Sequence, residues 1–292
     1  MNKQSAASEL ILNADGSVYH LHLLPHHIAD TIITVGDPDR VPLVSKYFDT
    51  IVYKIQKREF ITHTGSIGAK KLTVISTGIG TDNIDIVLNE LHFLANYDPD
   101  KKEMKAEKKQ LTFIRIGTSG SVQSDIPVDS FLVSEYAIGL DNLLHFYAYQ
   151  NTELQKIILE KFKMHCYFYH TIHPYITEAD PLLFKQFANG FLKGITLTTP
   201  GFYAPQGRMM HAKINMERFY TDIVSFRFAG HRITNIEMET AGLYGLSHVL
   251  GHKSISCNAL LANRRTGLFS KDPEKTMEKL IEKVIDAICS TP

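Results

Sequence analysis

The chain has 292 residues, of which 44% are hydrophobic and 21% charged, a composition typical of globular proteins and unlike disordered or fibrous ones. Its 31 basic residues balance its 31 acidic residues, so no net field attracts nucleic acid or an anionic membrane, and neither is expected as a partner. Three cysteines without CxxC spacing argue against a disulfide framework or a zinc site and predict buried free thiols. The sequence shows neither a secretion signal nor a membrane-spanning run, so we expect a cytoplasmic protein.

Short β-rich segments that end in glycine or turn residues alternate with helical patterns along the chain. The predicted strands lie at residues 31–36, 71–80, 111–120, 131–139, 194–201 and 254–262. Apolar residues at helical spacing predict helices at 84–97, 152–162 and 239–251. A last helix is predicted after Asp272, which can cap it, and Pro273, which suits its first turn. This alternation predicts an α/β fold.

One segment, 98–110, is rich in charge and poor in apolar residues. Its composition predicts a solvated loop between a helix and a strand, without a role in chemistry. We find no repeat and no Pro/Gly/Ser-rich linker, so the sequence predicts one domain.

Four segments combine glycine, arginine and hydroxyl side chains at or near predicted strand ends, where open α/β sheets bind ligands. They read VGDPDRV (35–41), KREF (57–60), STGIGTDN (76–83) and RIGTSGS (115–121). Glycine lets backbone N–H groups approach an oxyanion, and guanidinium groups match its oxygens. Each segment alone also has an ordinary interpretation: GDPDR as a turn before a helix, Arg115 as a strand residue in an ion pair.

A second group of polar residues comes late in the chain, in FYAPQGR (202–208) and in NIEMET (235–240), which is predicted to open a helix. Gln206 has donor and acceptor groups and Arg208 has donors, so together they can bind the edge of a pyrimidine dione, on which Phe202 could stack. The Glu239 carboxylate can accept both hydroxyls of a ribose. The alternative is that Glu239 is an acid at a helix start, favoured by the helix dipole.

In this order, GDPDRV, REF, STGIG, RIGTSG, FYAPQGR and EMET resemble the signature segments of the nucleoside phosphorylase-I family over residues 19–288. The resemblance implies a single domain at 19–292, after an N-terminal extension at 1–18, with a mixed central β-sheet flanked by helices. It also implies phosphorolysis of uridine to uracil and ribose 1-phosphate in pyrimidine salvage. Inorganic phosphate would be the co-substrate, with no cofactor required.

The resemblance also implies a role for individual residues. Phosphate would be bound by Gly36, Arg40, Arg115 and Thr118, with Arg58 reaching in from a neighbouring subunit; ribose by Thr118, Met238, Glu239 and the neighbour's His20; and uracil by Phe202, Gln206, Arg208 and Leu261. Catalysis would rest on Arg208, Glu239 and Arg115. The minimal active unit would then be a homodimer, and a homohexamer is typical of bacterial relatives.

A potassium site near Glu59, Ile79 and Asn83 is a further implication, although Asn83 stands where the family has a small residue. The histidines at 20, 22, 26 and 27 cluster in the sequence, but the family needs no catalytic metal, and no zinc site is expected.

The choice within the family rests on the Gln206-x-Arg208 pair and on Asn263–Arg264, which stand where purine phosphorylases of this fold carry an acidic aspartate. A purine phosphorylase and a nucleosidase remain alternatives, although a nucleosidase would not need the full set of phosphate arginines. A nucleoside-binding protein without activity is a further alternative. A dinucleotide-dependent dehydrogenase is excluded because the first strand lacks a following GxGxxG segment.

Overall fold

The computed structural model describes residues 11–98, 101, 103–166, 172–216 and 218–290. The strands are β1 (Thr31–Val35), β2 (Thr50–Lys57), β3 (Phe60–Ile67), β4 (Lys70–Ser76), β5 (Tyr97–Asp98), β6 (Glu103–Met104), β7 (Thr112–Ser121), β8 (Phe131–Gly139), β9 (Tyr175–Glu178), β10 (Leu192–Thr198), β11 (Arg227–Phe228), β12 (His231–Glu237), β13 (Lys253–Asn263) and β14 (Leu268–Phe269). Each of the six predicted strands is present, with ends shifted by at most a few residues.

The helices are α1 (Arg40–Ser45), α2 (Thr81–Asn96), α3 (Glu153–His165), α4 (Pro181–Phe187), α5 (Phe219–Ser225), α6 (Thr240–Val249) and α7 (Pro273–Cys289), with short 3-10 turns at Pro25–His27, Leu143–Phe146 and Ala204–Gln206. The predicted cap of the last helix is confirmed, because the Asp272 side chain accepts the N–H of Lys275 at 3.0 Å. Its apolar stripe is buried as the spacing predicts, with Met277, Leu280, Ile281, Val284 and Ile288 packed in the core.

The strands form one mixed sheet in the order β11-β12-β10-β8-β13-β7-β1-β4-β3-β2. Its centre is parallel where β1 lies between β4 and β7, and β7 also pairs in parallel with β13. In addition, β12 pairs antiparallel with the end of β7, joining Ile236 to Gly120. This pairing closes β7, β13, β8, β10 and β12 into a ring, and the predicted mixed sheet flanked by helices is confirmed.

Two apolar clusters pack against the sheet. The larger contains the buried faces of α2, α6 and α7 together with β1, β4 and β7, and it includes the fully buried side chain of Val18. The smaller lies around α3, α5 and the strands β8, β10 and β12. The boundary predicted between residues 18 and 19 stays a prediction. Among the described residues, no helix is both long enough and apolar enough to cross a membrane.

Two sequence interpretations were wrong. The segment 235–240 was predicted to open a helix, but residues 235–237 end strand β12, and the helix begins only at Thr240. The thiols were all predicted to be buried, and Cys166 and Cys257 are, but Cys289 is exposed because it lies on the outer face at the end of α7.

The charged segment at 98–110 is mostly exposed where it is described, as predicted. It is not wholly irregular, however, since Tyr97–Asp98 and Glu103–Met104 pair as a small antiparallel ladder. Residues 99, 100 and 102 of this segment lie outside the described residues.

A histidine pair, the partly buried His92 and the buried His252, connects the last turns of α2 to the start of β13. His252 accepts the N–H of Leu111 at its Nδ1 (3.1 Å), so its Nε2 carries the proton shared with His92 Nδ1 at 2.9 Å. Burial, followed by the electrostatic effects of His92 and Lys108, lowers the pKa of His252 to about 4. Burial and Lys108 also lower the pKa of His92. Both rings are therefore neutral in the folded protein at pH 7.

We expect this pair to weaken the fold in acid. Between the folded pKa of about 4 and the ordinary histidine value of 6.5, the unfolded chain binds more protons at His252 than the folded chain does. The stabilisation is therefore present above pH 6.5 and is lost as the pH falls towards 4, by about 2 kcal/mol after allowance for solvent screening. Urea unfolding across this range measures it. The variant His252→Asn should show a shallower dependence on pH, and an unchanged slope would contradict this origin.

Candidate active site

The carboxyl ends of several strands surround one cavity of about 860 Å³. Residues from the loops after β1, β4, β10 and β12 line it together with the ends of β7 and β13. From the predicted phosphate, ribose and uracil sets, the cavity brings together Gly36, Arg40, Arg115, Thr118, Phe202, Gln206, Arg208, Met238, Glu239 and Leu261. Two predicted residues, His20 and Arg58, do not line it. The sequence motifs thus converge in space, although their individual roles stay predictions.

One corner of the cavity is built for an anion. Gly36 follows β1, Arg40 is the first residue of α1, and Arg115 comes from β7. Burial lowers the pKa of Arg40; Asp37 opposes this, and the nearby charge of Arg115 adds to it. Two guanidinium groups that repel each other in a half-buried site favour a bound anion, which would relieve both the repulsion and the desolvation.

Glu239 lies beside this corner and is itself buried. Its carboxylate forms an ion pair with Arg115, and it accepts the backbone N–H of Gly80 at 2.8 Å. Burial raises the pKa of Glu239, and the Arg115 charge opposes that shift. Arg115 therefore faces the anion corner and also pairs with Glu239, the carboxylate that was predicted to bind ribose. The sequence alone did not reveal this ion pair.

Glu237 is a functional neighbour that the sequence interpretation missed. It accepts the backbone N–H groups of Glu239 and Thr240, both at 2.9 Å, and the hydroxyl of Thr198 at 2.6 Å. It thereby satisfies the N–H groups at the start of α6. The acid that accepts the N–H groups at this helix start is thus Glu237, and not Glu239 as the alternative interpretation had it. The Glu239 carboxylate faces the cavity instead. The alternation Glu-x-Glu at the end of a strand could have indicated both residues.

The Gln206–Arg208 pair also lines the cavity. Arg208 donates to the side-chain oxygen of Gln206 and, at 2.6 Å, to the carbonyl of Phe202, and its guanidinium lies 3.8 Å from the Phe202 ring centroid. Burial, followed by the charge of Arg264, lowers the pKa of Arg208. One face of Phe202 is thus covered by Arg208, so a base stacking on Phe202 would use its other face or displace the guanidinium.

Arg264 and Asn263 have different surroundings. Arg264 donates to the Gln206 carbonyl and lies over the Tyr220 ring, with 4.4 Å from its guanidinium carbon to the centroid. Asn263 is buried and donates to the carbonyls of Gln123 and Ile126 at 2.8 and 2.7 Å. Asn263 therefore holds the loop after β13, while Arg264 supports the base-reading segment. From the sequence, Asn263 and Arg264 were identified only as the residues that stand where purine phosphorylases of this fold have an aspartate.

Arg58 and His20 lie on one surface patch outside the cavity. Arg58 occupies the turn between β2 and β3 with a left-handed φ of 53°, and its guanidinium carbon lies 5.7 Å from the Tyr19 ring centroid. His20 packs edge-on against Tyr19, and its Nδ1 lies 2.6 Å from Glu90 Oε1. The two residues predicted to enter a neighbour's site are thus adjacent, which fits a shared contribution from this patch.

The predicted potassium ligands meet at the rim. The Asn83 amide donates to Glu59 Oε1 at 3.3 Å, and Ile79 is 68% exposed. A carboxylate and amide and backbone oxygens suit a hard cation, but one chain offers too few of them for a full shell. Among the described residues, no group of three or more His, Cys, Asp and Glu side chains is arranged to hold a metal ion.

One cavity at the strand ends of a mixed α/β sheet thus collects two arginines, a buried carboxylate and the Gln206–Arg208 pair. The chain belongs to the phosphorylase superfamily, whose family model matches residues 30–290.

Relatives of known activity cover nearly the whole chain. A uridine phosphorylase from Thermococcus kodakarensis is 29% identical over 94% of this chain and 88% of its own length. The crystal structure of a Trypanosoma brucei nucleoside phosphorylase, described as showing uridine phosphorylase activity, superposes with a TM-score of 0.89 at 28% identity, over 97% of this chain and 100% of that one. A DeoD-type purine nucleoside phosphorylase from Listeria monocytogenes is 25% identical over 81% of this chain and 83% of its own length.

Proposed function

We propose that this protein is a uridine phosphorylase, which uses inorganic phosphate to cleave uridine reversibly into uracil and ribose 1-phosphate. The observation that carries the proposal is the set of groups that one cavity collects. Arg40 and Arg115, the Glu239 carboxylate and the Gln206–Arg208 pair all line it, and these are the groups that phosphate, ribose and base would need. The relatives named as uridine phosphorylases support the same choice.

The chemistry follows from this set of groups. As the glycosidic bond breaks, the sugar carbon gains oxocarbenium character, and a phosphate dianion beneath it is both nucleophile and electrostatic partner. Arg40 and Arg115 would orient the phosphate, while Glu239 accepts ribose hydroxyls. Arg208 would stabilise the negative charge that collects on the departing uracil. Direct attack by phosphate requires no covalent intermediate with the enzyme.

The groups expected to meet the base support a pyrimidine over a purine. A purine leaves well only when its ring is protonated, whereas a uracil anion can leave if donors hydrogen-bond its carbonyl oxygens. Arg264 stays charged and is a poor acid, and the Asn263 amide is already engaged with two backbone carbonyls. Retention of Arg40 and Arg115 at the anion corner favours phosphorolysis over hydrolysis.

We further propose a homodimer as the minimal active unit, with Arg58 and His20 of each subunit completing the other's site, and a homohexamer as the full assembly. A potassium ion near Glu59, Ile79 and Asn83 at the dimer interface is part of the same proposal. A cytoplasmic location belongs to the same proposal.

A uracil-release assay with uridine tests the proposed function, run with and without phosphate and with inosine in parallel. We expect release that requires phosphate, and no cleavage of inosine. Release without phosphate would indicate a nucleosidase, and cleavage of inosine would indicate a purine phosphorylase. No reaction with either nucleoside would leave a binding protein without activity.

A further inference from the structure

The Glu239 carboxylate is held from two sides before any ligand binds. Oε1 accepts the Gly80 backbone N–H at 2.8 Å, and Oε2 pairs with the Arg115 guanidinium. Each carboxylate oxygen has two lone-pair sites, so each retains one for a further donor. Two ribose hydroxyls therefore fit on Glu239 without displacing either existing partner.

We propose that Gly80 is a positioning residue, whose backbone N–H fixes the plane of the Glu239 carboxylate so that both oxygens face the ribose hydroxyls. This inference rests on the proposed function and deepens it. Arg115 alone restrains a single oxygen and leaves the carboxylate able to rotate about its terminal torsion, which is broad for glutamate. The Gly80 amide supplies the second restraint.

The backbone at position 80 requires glycine. Its φ is +96°, a region that L side chains rarely adopt, and a Cβ there would lie 2.6 Å from Oδ1 of Asp82. Any side chain at position 80 would therefore strain the segment or displace it. Either change would move the backbone N–H that donates to Glu239. The TGIG motif thus contributes through its backbone conformation.

The chain just after Gly80 is firmly anchored, which keeps the amide in place. The Thr81 side chain is buried. Burial raises the pKa of the Asp141 carboxyl, and the Thr81 hydroxyl is among the groups that oppose this larger effect. Asp141 in turn accepts the Tyr175 hydroxyl at both oxygens, at 2.9 and 2.8 Å, and the N–H of Leu143 at 2.9 Å. A buried and satisfied polar network of this kind holds its members in one geometry. The start of α2 therefore cannot shift without breaking it.

The test compares Gly80→Ala with Gly68→Ala by calorimetric titration with uridine and, separately, with uracil, both without phosphate. Gly68 is a matched control, since it also has a positive φ, of +55°, but a Cβ there meets nothing within 4 Å. Uracil lacks the ribose, so it reports on general damage to the cavity. We expect Gly80→Ala to weaken uridine about tenfold, the loss of one well-placed hydrogen bond to a charged group, and uracil by less than about twofold.

Gly68→Ala should leave both affinities unchanged. Equal weakening of uridine and uracil by Gly80→Ala, or weakening of neither, would overturn the positioning role. If the wild type binds no uridine and releases no uracil, the proposed function itself is wrong, and the wild-type titration shows this separately.

A second variant decides the matter if Gly80→Ala does not fold. Thr81→Val keeps the shape of the side chain but removes the hydroxyl that interacts with Asp141, so the start of α2 is loosened without strain at Gly80. We expect uridine to bind about threefold more weakly, with uracil little changed. An equal effect on both ligands, or no effect on either, would overturn the inference.

Discussion

Arg208→Ala should lower the turnover of uridine by about 100-fold, because it removes the donors that stabilise the charge on departing uracil in the transition state. The Arg208 guanidinium contacts Gln206 and Phe202, whereas Arg40 donates to the carbonyl of Ile116 and Arg115 pairs with Glu239. The concentration of phosphate that half-saturates the enzyme should therefore change little. Steady-state kinetics with each substrate varied in turn measures both quantities.

Arg232→Ala is a suitable control for this result. Arg232 also pairs through its guanidinium, with Asp125 at 2.9 and 2.7 Å, but it is partly exposed and does not line the cavity. Surface pairs of this kind contribute little to stability, so its kinetics should match those of the wild type. Unchanged uridine kinetics in Arg208→Ala would contradict the base-reading role.

Arg115→Ala should impair both substrates, since Arg115 faces the anion corner and also pairs with Glu239. We expect the KM for phosphate to rise by about tenfold or more, and the KM for uridine to rise as well because Glu239 loses one of its two restraints. Stability should fall by about 3–5 kcal/mol, because a buried carboxylate is left without its partner. Kinetics and urea unfolding on the same preparation measure both effects.

Arg40→Ala provides the matched comparison. Arg40 faces the same anion corner, and Ile116 is the partner to which its side chain donates, at 3.5 Å. We therefore expect a raised KM for phosphate with a nearly unchanged KM for uridine. If Arg115→Ala raises only the KM for phosphate, the ion pair between Arg115 and Glu239 does not contribute to uridine binding. An unaltered phosphate requirement in both variants would mean that the anion site is misplaced.

The sequence predicted the central strands and the groups at their ends because those features are local. Alternating apolar runs closed by glycine mark β1, β4 and β7, and the arginines and hydroxyls that follow stand out by composition. The β2–β3 hairpin was missed, because β2 lies at the edge of the sheet, none of its residues is fully buried and no glycine closes it. KREF, predicted to lie at or near a strand end, forms the turn of this hairpin.

Contacts between distant segments could not be predicted in the same way. Glu237 and Glu239 are two residues apart and chemically identical. The position at which α6 begins decides that Glu237 accepts backbone N–H groups and that the Glu239 carboxylate faces the cavity. The bond from Gly80 to Glu239 joins residues 159 positions apart. The stacking of Arg208 on Phe202 depends on side-chain conformations, which the letters FYAPQGR do not specify.

The pairing of β12 with β7 has a consequence for how such an enzyme can diversify. Direct backbone hydrogen bonds link the strand that carries Arg115 to the strand that leads into Glu239. The sheet therefore fixes the spacing between these two side chains. Gln206 and Arg208, in contrast, stand on a loop after β10 that lies outside this ladder. Exchange of that loop between lineages would alter the groups that meet the base, while the spacing of Arg115 and Glu239 would be retained.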